Sequence, residues 1–145
     1  MKSAIENPVS VQGPPVSAAA LWTGRVLSAL VILFLVFDSG LKFVKPAPRP
    51  VEEAFRHIGW PLGLAVSLAA ILLSCTILYA IPRTAILGAI LLTGYLGGAV
   101  ATHLRVGDPL FSHILFPIYI GVLLWLGVYL RDPRLRALVP VRSLT

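Results

Sequence analysis

The chain has 145 residues, of which 57% are hydrophobic and only 12% charged. Soluble domains carry about a quarter charged residues, so this composition excludes the soluble enzyme classes and points to a membrane protein. The formal net charge is +6, but most Lys and Arg residues sit at the ends of apolar blocks, where they set topology; no nucleic-acid partner is expected.

Residues 1–17 mix Ser, Pro, Gln, Asn and Gly without periodicity and include Gly13-Pro14-Pro15. They are too polar to bury a core, which predicts a flexible arm. The first apolar block, Ala18 to Phe37, has the length of ~20 residues that crosses ~30 Å of hydrocarbon. It outruns a signal core and ends in Phe37-Asp38-Ser39-Gly40-Leu41-Lys42 rather than a small-x-small cleavage pattern, so it is expected to stay in the mature protein. Trp22 suits the membrane interface, and Arg25, just inside the block, is read as snorkelling to the headgroups. Gly24 and Ser28 form a small-residue pair that lets another helix approach. Asp38 and Lys42 share a face if the helix continues.

Lys45-Pro46-Ala47-Pro48-Arg49-Pro50 must bend, because its prolines lack N–H donors and push their predecessors toward extended backbone. Beyond it, Val51, Ala54, Phe55 and Ile58 fall at i, i+3, i+4 and i+7, which predicts a short amphipathic helix ending at Gly59. Such a helix lies along the membrane surface, with Trp60 at the headgroup level.

The second block, Leu62 to Ile81, holds the only cysteine, Cys75. No intramolecular disulfide can form, and the thiol reads as a small apolar filler. Ile81-Pro82-Arg83-Thr84 is a tight turn, so the second and third spans must be antiparallel neighbours. The third block, Ala85 to Leu104, contains Gly94 and Gly98, a Gly-x-x-x-Gly step extended by Ala101, which is expected to pack closely on another helix. The fourth, Ile114 to Leu130, follows Asp108-Pro109 and holds Pro117, an expected kink. Residues 139–145 read as a tail. The fold class is all-α: a bundle of four transmembrane helices at 18–138, with a short amphipathic helix between spans one and two.

With four spans, both termini and the turn at Arg83 share one side, which carries Lys2, Arg25, Arg83, Arg131, Arg134, Arg136 and Arg142. The other side holds Lys42, Lys45, Arg49, Arg56 and Arg105. Seven against five places both termini in the cytoplasm of an inner or plasma membrane.

On that topology Asp38, Lys42, His103, Arg105, Asp108 and His113 all fall at the non-cytoplasmic ends of spans one, three and four. Glu52, Glu53, Arg56 and His57 of the surface helix lie on the same side. A polar small-molecule site roofed by the first connection is therefore the candidate functional site. No histidine pair has the i, i+4 spacing of a helical metal site, so no metal is expected. Proton transfer suits these residue types better, because a histidine beside acids changes charge near neutral pH.

The first span with its Gly24-Arg25 start and Asp38-Ser39-Gly40-Leu41-Lys42 end, the turn Tyr79-Ala80-Ile81-Pro82-Arg83-Thr84-Ala85, and the stretch from Gly88 through Gly94-Tyr95-Leu96-Gly97-Gly98 to His103-Leu104-Arg105 carry a resemblance. Over Trp22 to Leu138 the chain resembles the DoxX-like family of small four-span membrane proteins. The resemblance implies a four-helix membrane bundle without an assigned activity in most members. One branch resembles the membrane subunit of a thiosulfate:quinone oxidoreductase, which makes a quinone the one cofactor implied. Many relatives carry an acidic residue in the second span, where this chain has Ser74 and Cys75. The partners expected are the lipid bilayer and, in the rival readings, a second copy forming a carrier or channel, or a soluble redox protein served by a quinone-linked enzyme subunit.

Overall fold

The computed structural model describes residues 17–138. The expected tail, and the expected arm apart from Ser17, lie outside the described residues. Helix α1 runs from Ala18 to Phe43 and α2 from Arg49 to His57; a 3-10 turn, Leu62–Leu64, leads into α3, Ala65–Ala80. Helix α4 is Ala85–Val106, α5 is Phe116–Arg131, and α6 is Pro133–Leu138. Among the described residues four segments are long and apolar enough to cross a membrane: Ala18–Phe43, Leu62–Ala80, Ala85–Val106 and Leu110–Arg131.

Local chemistry sets the ends. Ser17 caps α1 by accepting a hydrogen bond from the Ala20 N–H at 3.2 Å, satisfying one donor that the first turn leaves free. Pro48 and Pro50 frame the start of α2, where a missing N–H costs nothing. Gly59 and Gly107, at φ +70 and +72, end α2 and α4 in the left-handed conformation that glycine adopts without strain.

In chain order the spans alternate direction and close into a ring: α1 packs on α3 and α5, and α4 completes the ring between α3 and α5. Val31, Leu35, Leu72, Leu92, Leu124 and Val128 fill the shared core, with Cys75 among them. The outward faces are equally apolar, with Leu33, Phe37, Ile90 and Val122 exposed, as a lipid surround requires. Lipid offers no hydrophobic drive between helices, so close backbone approach and buried hydrogen bonds must hold them. Both occur at the end that carries the termini. A Cβ at Gly24 would sit 2.9 Å from the Gly127 carbonyl oxygen, and one at Gly88 only 2.2 Å from the Tyr79 nitrogen. Between them the fully buried Tyr79 hydroxyl donates to the Leu124 carbonyl at 2.9 Å and accepts from Ser28 Oγ at 3.0 Å. The Arg131 guanidinium lies over the Tyr79 ring and donates to the Tyr79 carbonyl.

Two expectations are corrected here. Among the described residues Gly94 and Gly98 pack on no other helix, since a Cβ at either meets nothing within 4 Å; the bulk they lack is left as open space along a cavity. Pro117 does not kink a continuous helix. The chain is already broken into a wide π-helical turn at Leu110–Ile114, with the Leu115 N–H bonded to the Leu110 carbonyl, and Pro117 stands in the first turn of α5, where no N–H is needed. Arg25 is exposed and stacks on Trp22 at 5.5 Å.

Candidate functional site: a roofed cavity between the spans

At the end of the bundle away from the termini the spans line a partly open cavity of about 450 Å³. Phe34, Leu72, Leu96, Phe116 and Ile120 form its apolar wall, and Gly94 and Gly98 widen it on the α4 side. Ala54 and Phe55 of α2, with Ile58 and Trp60 just beyond it, also line it. Its polar groups are Asp38, Lys42, Tyr95, Thr102 and His103, of which all but Tyr95 lie near the roofed ends of their helices.

The roof is held differently along its two edges. Val51 and Phe55 are buried against Ala65, with Leu41 and Leu68 around them, so one edge is an apolar seam on α1 and α3. The edge facing α4 is polar: Arg105 donates to the Ile58 carbonyl, and His57 Nε2 lies 2.6 Å from Asp108 Oδ1. The same carboxylate receives His103 Nδ1 at 2.6 Å on Oδ2. Gly107 makes this bridge possible. Its positive φ turns the chain so that the Asp108 N–H closes onto the His103 carbonyl at 3.1 Å, bringing the carboxylate back beneath the imidazole five residues before it. The Asp108 side chain is 6% exposed, against 57% for His57 and 28% for His103. Hydrogen bonds from His103 first, and then from His57, hold its carboxyl below the usual carboxylate range.

Of the six residues singled out from sequence, Asp38, Lys42 and His103 line the cavity. Asp38 and Lys42 pair with each other, because α1 continues past Phe37 and keeps them one turn apart. Asp108 works one layer out, behind His103. His113 stacks edge-on against His103 at 5.7 Å between ring centres, and Arg105 serves the roof. His57 was visible only as part of a surface cluster; 51 residues separate it from Asp108, and no local pattern encodes that pairing. Its cluster mates Glu52, Glu53 and Arg56 line a separate surface hollow with Arg49. Among the described residues no three His, Cys, Asp or Glu side chains are grouped to hold a metal ion.

A bundle of four spans around a roofed apolar cavity defines a small multi-pass membrane protein. The chain belongs to the DoxX-like family, whose model matches residues 26–127. Heme exporter protein B of Paracoccus denitrificans (strain Pd 1222) is similar, at 29% identity over 133 residues, covering 76% of this chain and 58% of that protein. The chain thus spans less than two thirds of that relative's length. No solved structure matches.

Proposed function

We propose that this protein holds a small amphipathic molecule of the quinone class in the roofed cavity. The observation that carries the reading is the make-up of the lining, in which a largely apolar body of about 450 Å³ meets a few polar groups gathered near the roof. Ligand sites usually have this make-up, with volumes of ~300–1,000 Å³. The apolar wall suits a ring and the start of a tail. The Lys42 ammonium, and the His103 imidazole when protonated, are donors of the kind that carbonyl oxygens require. The family's quinone-linked branch supports the same ligand class. A bound quinone would supply two-electron chemistry; the residues here would bind it, aim its oxygens toward the roof and keep water off its ring.

A carrier or channel has less support within one chain. Tyr79, Leu124 and Val128 are fully buried at the terminal end, so the cavity is blind on that side. We also assign both termini to the cytoplasm of an inner or plasma membrane, on the seven-to-five distribution of Lys and Arg.

Trp60 lines the cavity and gives the test. In lipid nanodiscs, with Trp22→Phe and Trp125→Phe removing the other two indoles, decylubiquinone should quench Trp60 fluorescence saturably. Gly98→Leu, which puts bulk into the cavity, should abolish the saturable phase. Quenching that rises linearly and equally in both proteins marks partition into lipid and overturns the reading.

A further inference from the structure

Resting on that reading of the cavity, we propose that His103 makes the site select its ligand by proton state: a hydroxyl-bearing ligand when the imidazole is neutral, a carbonyl-bearing one when it is charged. The geometry of the Asp108 bridge carries this. An acceptor-only carboxylate 2.6 Å from His103 Nδ1 fixes the proton of the neutral ring on Nδ1 and leaves Nε2 as a bare acceptor. His103 lines the cavity, and Nε2 has no hydrogen-bond partner among the described residues. A phenol or quinol hydroxyl can donate to it. A quinone carbonyl can only accept, so it bonds the ring only once Nε2 has taken up a proton and become a donor. The Asp108 carboxylate balances the resulting charge, and His57, 57% exposed and bonded to the other carboxylate oxygen, sets a water-accessible titratable group one residue from the ring.

The charged and titratable groups around His103 come from every neighbouring element. Asp108 and His57 bond as described, His113 stacks from the turn before α5, Arg105 follows on α4 itself, and Asp38 and Lys42 share the cavity from α1. Among the described residues only Asp108 bonds the ring directly, which makes it the positioning residue.

Two neutral probes of similar tail length, 4-nonylphenol and decylubiquinone, can be titrated calorimetrically into the full chain in nanodiscs between about pH 5 and 8, with empty discs as reference. An imidazole changes charge in that window. The phenol's affinity should fall as pH drops, with a limiting slope of about tenfold per pH unit, while that of decylubiquinone rises. His103→Gln keeps a donor and an acceptor without titrating, and should flatten both profiles while retaining binding. Asp108→Asn, which removes the acceptor-only group that fixes the tautomer, should weaken the opposition between the two slopes. His113→Gln should leave the opposite slopes in place. Parallel or flat profiles in the wild type, or opposite slopes that survive His103→Gln, overturn the proton-state selection while decylubiquinone binding stands. If decylubiquinone fails to bind saturably at any pH, the cavity reading itself fails, and this inference with it.

Discussion

A Cβ added at Gly88 would lie 2.2 Å from the Tyr79 nitrogen, and one added at Gly127 would lie 2.6 Å from Ser28 Oγ. Backbone cannot yield to the first as a flexible side-chain tip would, so α3 and α4 must separate. Gly88→Ala should therefore destabilise the protein by about 2–3 kcal/mol, the usual cost of overpacking. Gly98→Leu, facing open space, should stay within about 0.5 kcal/mol of wild type. Unfolding of both variants in detergent, followed by circular dichroism, checks the contrast; equal losses would mean that the two glycines do the same work. Sequence reading found the close approach at Gly24 and Ser28, yet it also assigned one to Gly94 and Gly98. The two patterns share the same spacing of small residues, and a small residue records only the absence of bulk. Whether a neighbour fills the space depends on residues from other spans.

At the scale of elements, the four spans and α2 were legible because each carries its own signal, a run of about 20 apolar residues or a one-sided stripe. The wide turn at Leu110–Ile114 and the short α6 were not, since both depend on what they dock against. Leu135 of α6 is buried, and Arg136 donates to the Tyr129 and Leu130 carbonyls that end α5. The polar edge of the roof was half legible: His103 and Asp108 were singled out, but not the bond from His57. That edge has a consequence for stability. The Asp108 carboxyl is held below its usual range by His103 and His57. Its contribution is therefore complete above about pH 5, where the unfolded chain's carboxyl is also ionised, and is lost as pH falls through the lower folded-state value. Asp108→Asn should lower the melting temperature at pH 6, with the gap narrowing as pH falls below the ordinary carboxylate range. Thermal unfolding of the two proteins across that range measures it, and a gap that stays constant would remove the carboxylate from the latch.

For the whole molecule, an even number of spans puts both ends of the described chain on one side, where Gly24, Tyr79, Gly88 and Arg131 knit the bundle together. Alkaline phosphatase fused after Thr145 should be inactive and a fluorescent protein at the same point bright; an active phosphatase would reverse the orientation assigned from the Lys and Arg distribution. The ring of helices also separates two properties that most cores couple. Rigidity resides at the terminal end, in glycines that cannot grow, while capacity resides at the roofed end, in Gly94 and Gly98, which can. Replacing these two by Ala, Ser or Val would shrink the chamber one small group at a time and leave the framework intact. Relatives sharing this scaffold could thus be graded by the size of guest they admit, with two positions of α4 serving as the gauge.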